Sequence, residues 1–170
     1  MIQHLSLIVG ASAALLLSAC AANMRPTSRA TQLEQAECST TVAGQDDLRL
    51  LQTAKVLKAE PIYSMMHTAT GDEDRVSGAR LVITPPEGVS AERLTQMLRC
   101  HSAEVLLGQV DRSKFPDDPY WLPNAWLDID VKPEGANFAV ALSSNTVARN
   151  LQVLRRANAF ADAHRSWTAQ

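Results

Sequence analysis

The chain has 170 residues and a formal net charge of −2 at pH 7, and hydrophobic residues make up 46% of it. These values are typical of a single globular domain. No block of basic residues with interleaved aromatic residues is present, so the composition argues against a nucleic-acid partner.

Residues 1–19 have the pattern of an export signal. The stretch 5–19 is apolar and uncharged, and it is shorter than the about 20 residues that a membrane-spanning helix needs. Small residues follow the apolar stretch, as they do before the cleavage site of a signal peptide. A buried apolar helix or an uncleaved anchor is the alternative.

The apolar run ends in an aliphatic residue, two small residues and a cysteine: Leu17, Ser18, Ala19 and Cys20. This quartet resembles the lipobox of bacterial lipoproteins. The resemblance implies cleavage before Cys20 and a diacylglyceryl lipid on its sulfur, usually with further acylation, and several acyl chains anchor a protein far more firmly than one. Ala21 implies the outer membrane as the destination, with the domain facing the periplasm, under the rule seen in enteric bacteria.

The rest of the chain divides into a tether and a domain. Residues 21–37 are polar and aperiodic, which is typical of a tether. The predicted division is therefore a lipidated N-terminus and flexible tether over 20–44 and a single domain over 45–170. Asp46 or Asp47 is a candidate N-cap for a short first helix that ends near Ala54.

The domain repeats the order strand, strand, helix. Alternating apolar residues bounded by turn residues predict four strands, at 56–66, 79–84, 127–131 and 138–142. Ser90 is the expected N-cap of the helix between the strand pairs, and Ser144 or Asn145 that of the last helix. The predicted fold class is α+β, an antiparallel sheet of about four strands with two helices packed on one face. A permuted ferredoxin-like fold has the same ββαββα order and is one interpretation.

The chain has three cysteines, Cys20, Cys38 and Cys100. With Cys20 taken by lipid, Cys38 and Cys100 remain as a pair in an oxidising compartment, which predicts a disulfide between them. Two free thiols are the alternative.

Met97, Cys100 and His101 are the residues that most resemble a cofactor site. They resemble a c-type haem attachment run, Cys-x-x-Cys-His, with Met97 in place of the first cysteine. Together with Met65, Met66 and His67, they also offer soft or borderline ligands of the kind that Cu(I) prefers. A periplasmic metal- or haem-binding protein is therefore one alternative function. The favoured interpretation has His101 in the core, hydrogen-bonded to a backbone carbonyl beside a disulfide cysteine, and no cofactor or metal.

Asp128 and Asp130 suggest a second alternative, a hydrolase. Alternation along a strand places both carboxylates on one face, about 6–7 Å apart at Cα, a spacing that suits an acid–base pair. A solvated sheet face is the commoner explanation. No serine-elbow, phosphate-loop or His-Glu-x-x-His motif is present, so no catalytic residue is assigned.

Residues 115–126 are interrupted by prolines and contain three large aromatic residues, Tyr120, Trp121 and Trp126. Aromatic side chains on a restricted backbone form a candidate binding surface. The favoured interpretation is instead that this segment folds over the sheet face left open by the helices.

The sequence Gly-Ala-Arg-Leu-Val at 78–82, with Pro-Glu-Gly at 86–88 and Cys-His at 100–101, is similar to that of uncharacterised bacterial lipoproteins. This resemblance implies no activity. The sequence therefore predicts a membrane-anchored envelope lipoprotein with a small non-enzymatic binding or assembly domain. Its expected partners are the membrane, through lipid on Cys20, and another envelope protein.

Overall fold

The computed structural model describes residues 25–38, 54–69, 71–111, 113 and 117–165. The predicted signal, Cys20 and the predicted helix at Asp46 and Asp47 lie outside these residues. The described elements are the following: α1 (Pro26–Leu33), which continues as a π-helical segment (Glu34–Cys38), β1 (Val56–Thr68), β2 (Gly71–Ile83), α2 (Ala91–Leu106), β3 (Asp128–Glu134), β4 (Asn137–Ser143) and α3 (Val147–Arg165). None of the described helices is long and apolar enough to cross a membrane.

The strands form one antiparallel sheet in the order β1-β2-β4-β3. Leu81 of β2 lies opposite Val140 of β4, which in turn lies opposite Val131 of β3. The α+β class and the four-stranded antiparallel sheet are as predicted. The strand order is consistent with the permuted ferredoxin-like interpretation, which stays an analogy of topology and carries no functional argument.

The core lies between one face of the sheet and the two longer helices. Strand alternation places apolar side chains such as Leu81 and Ile129 on that face, and α2 and α3 cover it with Leu98 and Val153. α2 packs mainly on β3, whereas α3 packs on β1 and β2. Full burial of each such side chain contributes about 1.5–3 kcal/mol, so these contacts set the positions of both helices.

Within the predicted tether of residues 20–44, Pro26–Cys38 is helical and packs against α2, so this part is not a flexible segment. Ala30 is fully buried, and the Gln96 side chain donates a hydrogen bond to the Glu37 carbonyl at 2.9 Å. Polar residues dominate α1, and contacts with distant residues stabilise the helix.

β1 and β2 run past the end of the sheet. β2 pairs with β4 only over 79–83, so residues 63–69 and 71–76 form a two-stranded hairpin, which we call the arm. Tyr63 lies opposite Val76 and Met65 opposite Asp74. The predicted strands at 56–66 and 79–84 are too short, because β2 begins with polar residues that show no apolar alternation.

Candidate functional site

The predicted disulfide joins Cys38, at the end of the π-helical segment, to Cys100 in the middle of α2, with 5.6 Å between the two Cα atoms. The bond confirms the predicted pairing and attaches the N-terminal helical segment to the core. Met97, one turn before Cys100, is buried. In the oxidised protein, the Cys100 sulfur is therefore not a free thiolate ligand.

His101 is buried, as predicted, but its partner is a carboxylate rather than a backbone carbonyl. The Nε2 atom of His101 lies 2.5 Å from Oδ2 of Asp118, in the segment that precedes β3. The other carboxylate oxygen, Oδ1, accepts the backbone N–H of Tyr120 at 2.8 Å. Sequence reasoning missed this pair, since Asp118 follows Asp117 in a proline-flanked stretch that reads as a polar turn.

Arg156 of α3 connects the same aspartate to the aromatic residues. Its Nε donates to the Asp118 carbonyl at 3.0 Å, and its guanidinium lies 4.8 Å from the centre of the Trp121 ring. Burial lowers the pKa of Arg156, and the Asp118 charge opposes this change. The Tyr120 ring meets Phe160 of α3 edge to face at 5.7 Å.

These contacts correct both predictions for Tyr120 and Trp121. Tyr120 is 3% exposed and Trp121 is 8% exposed, so neither forms an open binding surface. They pack against α3, on the side of the sheet that the helices already cover, rather than over the open face. Burial, followed by the charge of Asp118, raises the pKa of the Tyr120 phenol.

Trp126 is the predicted surface residue that stays partly exposed. Its Nε1 donates to Oδ1 of Asp128 at 3.1 Å, and the same oxygen accepts from the Arg29 guanidinium at 2.9 Å. The Arg29 guanidinium also lies 4.7 Å from the centre of the Trp126 ring. Trp126 and Asp128 therefore hold α1 against the start of β3.

Two open grooves flank residues 120–126, and α1 lines both of them. A groove of about 220 Å³ lies between the start of α1 and Trp121. A second groove, of about 370 Å³, lies between α1 and the start of β3, beside Trp126 and Arg99. Each tryptophan contributes to one groove, whereas Tyr120 belongs to the core.

No protein-family model matches the chain. Comparisons with curated proteins and with solved structures find no match either.

The carboxylates considered for catalysis are exposed and have cationic neighbours. Asp128 pairs with Arg29, and Asp130 lies 3.3 Å from the ammonium group of Lys132. In the part of the chain that the structure describes, no three His, Cys, Asp or Glu side chains come together as a metal site. The two aspartates share a strand face, as predicted. Each carboxylate has a different cationic neighbour, so the two are not in one common electrostatic environment.

The arm is the feature that sequence reasoning missed. Tyr63 is 60% exposed, Met65 64% and Met66 39%. The only other large hydrophobic side chains exposed to this degree in the described residues are Leu57, Val147 and Leu151. The available signal was the uncharged sequence of residues 62–66, which reads equally well as a buried strand.

Proposed function

We propose that this chain is a bacterial envelope lipoprotein, anchored through lipid on Cys20, and that its domain is a non-enzymatic binding or assembly module. The exposed hydrophobic side chains of the arm are the main observation in favour of a binding role. Scattered exposed hydrophobic residues are normal, whereas a cluster of them on a projecting element is typical of an interaction site. Tyr63 and Met65 lie two residues apart on one face of β1 and are both more than half exposed, and Met66 is exposed on the opposite face.

The disulfide between Cys38 and Cys100 supports export of the chain. Structural disulfides persist in oxidising compartments such as the periplasm and are rare in the cytosol. The bond also leaves Cys20 as the cysteine outside the pair, which agrees with its proposed use for lipid attachment.

The topology of the sheet places the arm and the start of α1 at the same end of the domain. Asp128, which binds Arg29 of α1, lies opposite Ser143, and Ser143 approaches Gly78 at the base of the arm. Only a few residues separate Cys20 from Arg25, and an extended chain spans at most about 3.6 Å per residue. Lipid on Cys20 would therefore hold this end of the domain close to the membrane surface, within reach of an anchored or membrane-associated partner.

Key groups of the alternative functions have structural partners. Cys100 is bonded to Cys38, and Nε2 of His101 lies 2.5 Å from Asp118, so the Cys100 sulfur and this nitrogen are both engaged, which disfavours metal or haem binding by Met97, Cys100 and His101. Asp128 is held by Arg29 and Trp126, which disfavours a hydrolase built on it. These contacts support a binding role.

Intact-mass analysis of the protein extracted from its native envelope tests the proposal. The wild-type protein should begin at Cys20, carry the mass of the lipid and show the mass deficit of one disulfide. Cys20→Ala should lose the lipid and leave the membrane fraction, whereas the matched variant Cys38→Ala should keep both. An uncleaved wild-type chain without lipid would overturn the anchor, and a bound haem or metal would overturn the non-enzymatic binding role in favour of the site at Met97, Cys100 and His101.

A further inference from the structure

We infer that the outer edge of β1 within the arm is a docking edge for an extended, basic segment of a partner protein, which adds to the sheet as a fifth strand. The inference rests on the proposed binding role. An added strand is held by main-chain hydrogen bonds, and its alternate side chains supply specificity.

The two edges of the sheet differ in how their backbone groups are used. At the β3 edge, the Arg99 side chain donates to the Ile129 carbonyl at 2.8 Å, and the Thr95 hydroxyl accepts the Val131 N–H at 3.1 Å. Side chains of α2 therefore close that edge. β1 forms the other edge, and within the described residues no strand lies on its outer side.

The part of β1 over the core carries residues that protect an edge, whereas the arm does not. Lys58, Glu60 and Pro61 lie together, and charged residues and proline are the usual means of blocking unwanted strand pairing. Residues 62–66 contain neither a charge nor a proline. The unprotected stretch coincides with the exposed side chains of Tyr63 and Met65.

The charge of the arm favours a basic partner. The arm carries three carboxylates, on Asp72, Glu73 and Asp74. Asp72 contacts His67 and Glu73 contacts Arg75, so Asp74 supplies the negative charge offered to a partner. Asp74 lies opposite Met65, and its carboxylate is therefore on the same face of the arm as Tyr63. A strand added beside β1 would lie about 10 Å from β2, a gap that a long basic side chain and a carboxylate can close together.

The apolar side chains of the arm suit the same partner. The aliphatic stem of a lysine or arginine can lie across Tyr63 and Met65, with its charged head near Asp74. The exposed Tyr63 ring offers an additional cation–π contact. An anionic lipid surface would instead be repelled by the carboxylates, which favours a protein segment over the bilayer as the occupant.

Fluorescence anisotropy with the full-length protein in detergent tests the inference. The probe is a labelled peptide of about nine residues in which Lys and Val alternate, and its comparators replace Lys with Glu or carry N-methyl groups on alternate amides. The Lys–Val peptide should bind at least about tenfold more tightly than either comparator, because only it has both the charge and the free N–H groups.

Variants of the protein test whether the peptide binds at the arm. Met65→Lys and Asp74→Asn should each weaken binding about tenfold. Leu151→Lys on α3 and Asp130→Asn on β3 make the same chemical changes elsewhere and should leave binding unchanged. Circular dichroism should show that all four proteins stay folded.

Three results would overturn the inference. The first is equal binding of all three peptides, and the second is unchanged binding in the arm variants. The third is a wild-type dimer, seen by light scattering, that is lost in Met65→Lys, because a second copy of the chain would then occupy the edge. Failure of the proposed function is seen separately, because the intact-mass experiment can fail while the peptide still binds.

Discussion

Nε2 of His101 and Oδ2 of Asp118 lie 2.5 Å apart, and both side chains are almost fully buried. His101 belongs to α2, whereas Asp118 belongs to the segment before β3 and also binds Arg156 of α3 through its carbonyl. This aspartate thus joins three parts of the fold that are distant in sequence.

Asp118→Ala should lower the free energy of unfolding by about 3 kcal/mol. The substitution leaves the buried His101 Nε2 and the Tyr120 N–H without their carboxylate partner. Urea denaturation measures the loss. Asp117→Ala is the matched control, because Asp117 is exposed, and it should change stability by less than about 0.5 kcal/mol. Equal losses in the two variants would contradict the assignment.

Replacing both Cys38 and Cys100 with serine should lower the free energy of unfolding by about 4 kcal/mol, the chain-entropy value for a loop of this length. The unfolded chain then regains the freedom that the bond removes. Reduction of the wild-type protein should produce the same shift in the urea midpoint and should add nothing to the double variant. A midpoint that does not move on reduction would show that the bond does not stabilise the fold.

Gly78→Ala should destabilise the protein by about 1–3 kcal/mol through overpacking. A Cβ atom at this position would lie well under 3.0 Å from the Leu142 carbonyl oxygen, so β2 and β4 would have to move apart. Gly135→Ala is the comparison, because a Cβ there meets open space and only the positive φ resists it. Thermal unfolding should show the larger loss for Gly78→Ala, and the reverse order would contradict the clash.

Ionisation of the Tyr120 phenol should lower the free energy of unfolding as the pH rises above 10. Burial raises the pKa of this phenol above the ordinary value of 10.0. The folded protein therefore retains this proton more strongly than the unfolded chain, and the stabilisation present below pH 10 is lost as the pH rises. Urea midpoints measured from pH 8 to pH 11 should fall less in Tyr120→Phe than in the wild type. Tyr63→Phe, which alters the other tyrosine, should follow the wild type.

Much of the sheet and the disulfide could be predicted from the sequence. The strands follow from local alternation of apolar and polar residues, and the disulfide follows from the number of cysteines. Ile129 and Val131 alternate with polar residues, and this period of two identifies β3 and its buried face. Ser90 caps α2 as predicted and accepts the Arg93 N–H at 3.2 Å. The bond between Cys38 and Cys100 followed from three cysteines with one assigned to lipid.

The rest was decided by tertiary structure. Nothing near Asp118 in the sequence indicates that its partner is His101, because the contact between the two side chains depends on the path of the chain between α2 and β3. α1 and the arm are composed largely of polar residues. Contacts with distant residues stabilise α1, whereas backbone hydrogen bonds between β1 and β2 stabilise the strands of the arm. Short-range periodicity therefore determined which segments form the sheet, whereas long-range packing determined where the aromatic residues lie and which edge stays open.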